Sequence, residues 1–460
     1  MENFADEDKA HHSRQQTPSH GNNTRSVTPS YNGARGTGSS AQSTLNDQQY
    51  PFYSNAASYA PSTTGGIELQ QHLKPLKHDH IAGSTDTVVD ADNQKHSQQF
   101  YTSDAEFARA LAISENAPIN GVDGEQIPKA LHSPYVRNQL QALKVHRPYF
   151  LWTISFIQLV VLIVEMIVNS QKTGSVIAPL GTNPMIGPTV GVLIQTGARF
   201  TPCIRPHTPY DTVGSQLECP SGITTGNTVW SNGAQVDICT LDQICGMGGL
   251  NGQPPNQWFR FIIPVFLHGG VIHFLMNMSF QCRTGFQMEE DFGWWRMACI
   301  YLISGIGGFL FGGNYSGMSP SVGCSGALFG LIACLLIDLL QNWRLVKNPV
   351  WELVKLVFLI IISFLLGMLP YLDNFAHVGG FFCGFLAGLI FMPQIYFNKR
   401  DKVIKVTLQV IAVPLLILVY SLMIAGFYNV WNDCPWCKYL TCIPGMPWCE
   451  QKWGQALVAP

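Results

Sequence analysis

Charge is what this sequence has little of. Only 12% of its 460 residues are Asp, Glu, Lys or Arg, about half the share of an ordinary soluble protein. The net charge of −2 shows no basic footprint, which excludes nucleic acid as a partner. No apolar run near Met1 reads as a signal peptide. Nor is the start an Arg-rich, acid-poor transit sequence, because Glu2, Asp6, Glu7 and Asp8 come first. Histidine is scarce where the chain is apolar: after His207 only His268, His273 and His377 occur.

What the chain does have is apolar residues, 47% of the total, sparse before Leu151 and dominant after it. The expected fold class is an all-α polytopic membrane protein behind a polar tail. Residues 1–135 are rich in Ser, Gln, Asn, His, Gly and Thr. They cannot bury enough apolar surface to offset their ordering entropy and read as disordered. One short helix is expected over 104–113, with a capping-box pattern at Ser103 and Glu106. The tail's histidines are scattered and read as solvated, so neither metal nor cofactor is expected.

The first span is expected at 149–169, about the 20 apolar residues a bilayer requires. Glu165 lies near its far end, where a carboxylate can reach the interface. A long loop, 170–265, is rich in Gly, Pro, Thr and Asn. Six more apolar runs follow, at about 267–287, 296–313, 324–341, 352–370, 376–393 and 406–429, for seven spans in all. If the tail is cytosolic, Arg283, Arg296, Arg344, Lys347, Lys355, Lys399, Arg400, Lys402 and Lys405 all fall on the cytosolic side. The opposite loops at 314–323 and 371–375 hold no Lys or Arg. The bias supports that orientation.

The cysteines then sort by side. Cys203, Cys219, Cys239 and Cys245 in the first loop share the non-cytosolic side with Cys434, Cys437, Cys442 and Cys449 in the tail at 430–460. Disulfides in an oxidising compartment are expected there. For Cys434 and Cys437, structural bridges are preferred over a redox or zinc pair.

Spans two, four and six run in one direction, so residues near their starts share a depth. Span four opens with Ser325 in Gly323-Cys324-Ser325-Gly326, span six with Ala376-His377, and span two carries His268, His273 and Asn277. Polar groups within a bilayer are expensive and default to function. A single buried histidine is more often a packed, hydrogen-bonded one. Three at one depth beside a serine in a Gly-rich turn are harder to explain that way. Gly326 and Gly330 on span four, and Gly380, Gly384 and Gly388 on span six, are small-residue faces that let helices approach closely. Their packing brings His377 to Ser325. Serine requires an adjacent base to act as a nucleophile. His273 and Asn277, four apart on one helix face, can donate to a developing oxyanion together with the Ser325 N–H.

These residues resemble the rhomboid family of intramembrane serine proteases. The resemblance rests on Phe259-Arg260 ahead of Phe266-Leu267-His268, on His268-x4-His273-x3-Asn277, and on Gly285-x3-Glu289. It continues through Gly323-x-Ser325-Gly326 and Ala376-His377-x2-Gly380-x3-Gly384. It runs from about Trp258 to Gly388; any one motif is weak, the ordered set specific. It implies a rhomboid-like bundle with its catalytic core at 256–393, Ser325 as nucleophile and His377 as base and acid. It also implies His273 and Asn277 as oxyanion donors, with His268, Arg260 and Glu289 structural. Two departures stand out. Phe259 replaces the family's Trp, and Phe329 takes an aromatic position often held by Tyr, where it can still stack on His377. Asp373, four residues before His377, falls in the outer loop and is read as outside the dyad. An added span after the His377 helix, here 406–429, is similar to the secretase type, which implies the secretory pathway (Golgi or plasma membrane).

Three functions are weighed. The first is a serine endopeptidase cutting single-span membrane proteins. The second is a rhomboid-like pseudoprotease that binds membrane clients without cutting, which the presence of both dyad residues disfavours. The third is a transporter relaying protons through histidines, which predicts ionisable groups along a path rather than at one depth. The sequon Asn314-Tyr315-Ser316 lies close to the expected membrane edge, which disfavours glycosylation.

Overall fold

The computed structural model describes residues 128–206, 216–231, 234–316, 319–368, 372–429 and 440. The expectations for most of the N-terminal tail, its short helix at 104–113, and Cys434, Cys437, Cys442 and Cys449 lie outside these residues. Helices occupy all seven expected positions. Among the described residues, five are long and apolar enough to cross a membrane: Tyr149–Thr173, Trp294–Tyr315, Pro349–Gly367, Asn374–Phe391 and Lys399–Asn429. The fourth span is the shorter apolar helix Ser325–Gln341. The second is Val271–Phe280, a π-helical stretch Gln281–Gly285, and Phe286–Phe292 in succession.

The ends of the first span show how local chemistry fixes a helix. Its opening N–H groups have no partner within the helix. The Glu289 carboxylate accepts from Phe150 and Leu151, both at 2.8 Å. A negative charge there also complements the helix dipole. Gly174, at φ 75°, closes the other end in a left-handed turn, which glycine adopts without strain.

Spans three, four and six form the centre. Side chains are missing where their backbones meet. A Cβ at Gly380 would overlap the Gly326 carbonyl, and one at Gly384 would overlap Gly330 Cα. Ser304 and Gly308 on span three reach the same seam, facing Gly330 and the Ala376 carbonyl respectively. In lipid, such close contacts replace the hydrophobic drive that holds helices together in water. Span one turns Phe156, Ile163 and Ile167 outward, and span seven exposes Ile411, Ile417 and Leu422. Span seven is pinned through Asn314, which is buried and donates to Leu310 O at 2.9 Å and Met423 O at 3.0 Å. The sequon's amide is therefore committed to helix packing.

The first loop is a folded unit. Strands β1 (Gln216–Glu218), β2 (Thr228–Ser231) and β3 (Ala234–Thr240) form an antiparallel sheet in the order β1-β3-β2. Disulfides Cys203–Cys245 and Cys219–Cys239 staple it. Ile194, Phe200, Leu217, Leu241 and Ile244 pack with these cysteines into a small core of their own. At the opposite end of the bundle, the helix Pro134–Ala142 docks Val136 and Leu140 against Leu345 and Ile395.

Candidate active site

The four residues singled out from the sequence converge at one end of the bundle. Ser325 begins the fourth span and His377 lies in the first turn of the sixth. His377 Nε2 is 2.9 Å from Ser325 Oγ. With the ring proton on Nδ1, Nε2 accepts from the serine hydroxyl. Phe329, one turn along from Ser325, stacks on the imidazole with centroids 4.3 Å apart and planes at 13°. The stack continues to Phe364 of span five, 4.9 Å from Phe329. It holds the ring by its face, so the family's missing tyrosine hydroxyl is not needed for that contact.

His273 and Asn277 are both buried on span two. The Gly269 N–H donates to His273 Nδ1 at 3.4 Å. That makes Nδ1 the acceptor and leaves the proton on Nε2. His273 Nε2 and Asn277 Nδ2 are buried donors with no hydrogen-bond partner among the described residues. Buried donors are normally satisfied, so this pair is poised for an acceptor from elsewhere. Both face Gly323. A Cβ there would lie 2.9 Å from His273 Nε2 and 3.5 Å from Asn277 Nδ2. Gly323 also sits at φ +120°, where L side chains are strained. The glycine keeps open the space two residues before Ser325 into which both donors point.

The supporting residues divide the work. Arg260 is fully buried. It donates to Gln257 Oε1 at 2.7 Å, Ile194 O at 2.8 Å, Ala198 O at 2.7 Å and the Cys245 carbonyl. Burial pushes its guanidinium down to about 9, still charged at neutral pH. It thereby wires the first loop to the turn that leads into span two. His268 is buried with Nε2 3.7 Å from Cys324 Sγ. Glu165 differs from expectation. It is 1% exposed and accepts from the His268 N–H at 3.2 Å instead of reaching an interface. Span one turns Glu165 toward the turn that carries His268, where a backbone N–H meets it.

Asp373 has other work. Its Oδ1 accepts from the Ala376 N–H at 3.3 Å, capping the His377 helix, and its Oδ2 pairs with Arg199 at 2.9 Å. Neither Arg199 nor Ser304 was singled out from the sequence. Ser304-x3-Gly308-x3-Gly312 carries the same small-residue signal as spans four and six. Arg199 lies among loop residues whose pattern points nowhere.

A family model described as the Rhomboid domain matches residues 255–394. Across 372 residues the chain is 34% identical to the Rhomboid-type serine protease 2 of Emericella nidulans, covering 66% of this chain and 71% of that protein. The chain belongs to the rhomboid family. It is also similar to proteins named Inactive rhomboid protein 1: 35% identical over 205 residues to that of Danio rerio and 36% over 209 to that of Homo sapiens. Those matches cover 44% of this rhomboid but only 24% of either relative, so the chain spans about a quarter of their length. Its relatives thus include a named protease and named inactive proteins.

Proposed function

We propose that this rhomboid is an intramembrane serine endopeptidase that cleaves single-span membrane proteins within or beside their transmembrane helix. The observation that carries the reading is the 2.9 Å approach of His377 Nε2 to Ser325 Oγ. It stands beside two buried donors aimed at the space next to Gly323.

Ser325 Oγ attacks the scissile carbonyl carbon as its proton passes to His377 Nε2. The carbonyl oxygen takes the negative charge and receives N–H donation from His273 Nε2, Asn277 Nδ2 and the Ser325 backbone. Such donors cost little reorganisation because they are already in place, and losing one typically costs about 10²–10³ in rate. The tetrahedral adduct collapses, the C–N bond breaks, and His377 returns the proton to the departing amine. A water then gives its proton to His377 and attacks the ester; the C–O bond breaks as His377 passes that proton to Ser325 Oγ, which releases the acid and restores both residues. The scissile peptide must leave its helix to reach the serine, so helix-weakening residues near the cut are expected. The Lys and Arg bias and the disulfide-bonded first loop support an outward-facing site in a secretory-pathway membrane, with the N-terminus cytosolic.

The test is co-expression with a single-span reporter. Ser325→Ala and His377→Ala are expected to drop cleavage to background, and a fluorophosphonate is expected to label wild type at Ser325. Unchanged cleavage by Ser325→Ala would remove the protease assignment from this site. The similarity to inactive rhomboids favours the pseudoprotease as the second reading. A wild type that captures the reporter yet neither cuts nor labels establishes it.

A further inference from the structure

The catalytic reading uses two helix starts, at Ser325 and His377, that are 52 residues apart in sequence. Glycine packing brings the two helices together lower down, but it does not by itself fix the loops that lead into them. One side chain touches both lead-ins. Arg199, from the first loop, is fully buried. One of its terminal nitrogens donates to Asp373 Oδ2 at 2.9 Å, to the Ser319 carbonyl at 3.2 Å and to Ser316 Oγ at 2.5 Å. Its backbone forms an isolated antiparallel bridge with Ser321, through Arg199 N–H to Ser321 O at 2.9 Å and Ser321 N–H to Arg199 O at 3.0 Å.

We propose that the Arg199–Asp373 ion pair is the strap that sets the register of Ser325 against His377. This rests on the protease reading above. Ser321 is four residues before the nucleophile and Asp373 four residues before the base. On the serine side, Arg199 holds Ser316 and Ser319 by its side chain and Ser321 by its backbone. On the histidine side, Asp373 caps the helix at Ala376, and its backbone carbonyl accepts from the His377 N–H at 3.3 Å. Span three leaves room for the carboxylate, since a Cβ at Gly312 would sit 2.9 Å from Asp373 Oδ2. Both lead-ins therefore hang from one guanidinium, and a sub-ångström shift of that anchor is transmitted to the dyad's separation. Arg199 and Asp373 are positioning residues that touch neither substrate nor the reacting atoms. The first loop thus takes part in catalysis through Arg199, four residues from the Cys203–Cys245 disulfide.

Asp373→Asn keeps a good helix cap and removes the charge. Arg199→Gln removes the other partner. Asp373→Asn alone leaves the buried Arg199 charge without its counter-ion, which destabilises the fold, so the informative protein is the double variant Arg199→Gln/Asp373→Asn, which removes both charges. Purified in detergent, it is expected to melt close to wild type. Its kcat and its fluorophosphonate labelling rate at Ser325 are expected to fall about tenfold, a loss that a shift well under 1 Å produces, with KM within about twofold. The double loss is expected to be no worse than the larger single loss, because the two residues act through one contact. Labelling of the double variant at the wild-type rate overturns the strap and leaves the protease reading intact. So does a loss carried by KM or confined to melting temperature. A wild type that neither cleaves nor labels overturns both.

Discussion

The fifth and sixth spans are neighbours in sequence, nearly equal in length and both strongly apolar, yet they live in different surroundings. Of Pro349–Gly367, only Gly367 is buried. Of Asn374–Phe391, ten residues are, among them Ala376, Gly379, Gly380, Gly384 and Gly388. Both are apolar enough to cross a membrane, and being apolar does not admit a helix to the centre, because lipid tails are as apolar as leucine and reward neither position. What separates them is side-chain size. The sixth span replaces bulk with glycine on one face and is admitted to the centre. The fifth carries Val, Leu, Ile and Phe on nearly every side and is left against lipid. Among the described residues it meets the site near its end, through Phe364 and Gly367.

The most damaging way to break this contrast is to give the sixth span a side chain. Gly380→Val places a Cβ against the Gly326 carbonyl, where backbone rather than a flexible side chain must yield. Overpacking of this kind costs about 1–3 kcal/mol or more. It is expected to part the two helices that carry the dyad, lowering reporter cleavage by at least about 10², the loss typical of a 1 Å misplacement. Wild-type cleavage by this variant would show that the glycine face does not set the dyad's geometry. At the site itself, Asn277→Ala removes a donor with no hydrogen-bond partner among the described residues, so kcat is expected to drop about 10²–10³ while melting is unchanged.

Much of this was legible in the residues because the lipid environment reduces the code to few letters. Three histidines at the starts of parallel apolar runs, a serine in a glycine turn, and glycines every fourth residue were enough to place Ser325 beside His377. Other features were not legible for stated reasons. Arg199 and Asp373 pair across 174 residues, and a long-range ion pair leaves no local period. The sheet and disulfide pairing of the first loop lie in a Gly- and Pro-rich stretch whose strands are only three to seven residues long. Glu165 looked like an interfacial carboxylate because its partner is a backbone N–H, and backbone donors carry no residue identity.

A middle-sized effect is expected at the one buried position of the fifth span. A Cβ at Gly367 would lie 2.7 Å from His377 Nδ1 and against the Asn374 amide oxygen. Gly367→Ala is therefore expected to push the imidazole off its stack on Phe329 and slow Ser325 labelling about tenfold, given the sensitivity of such sites to small displacements. Equal labelling would place the fifth span wholly outside the site. The first loop offers a test from the other side. Replacing Cys203 and Cys245 by Ser is expected to cost about 2–5 kcal/mol of that unit's stability and to expose it to limited proteolysis. Cys282, Cys299, Cys334 and Cys383, which are free thiols, are expected to show no dependence on reductant when alkylated in denaturant.

The smallest effect is the sharpest statement of the comparison. Phe358 on the fifth span is 63% exposed, so most of its ring has no neighbour among the described residues. A buried phenylalanine cut to alanine typically costs about 3–5 kcal/mol. At Phe358 the side chain trades lipid or detergent for lipid or detergent, so Phe358→Ala is expected to shift stability by no more than about 0.5 kcal/mol, the range of ordinary surface changes. Thermal melting in detergent, compared with Phe375→Ala on the fully buried start of span six, reads the difference directly. A loss at Phe358 approaching that at Phe375 would mean that the fifth span packs against protein, and that residue size does not sort the spans.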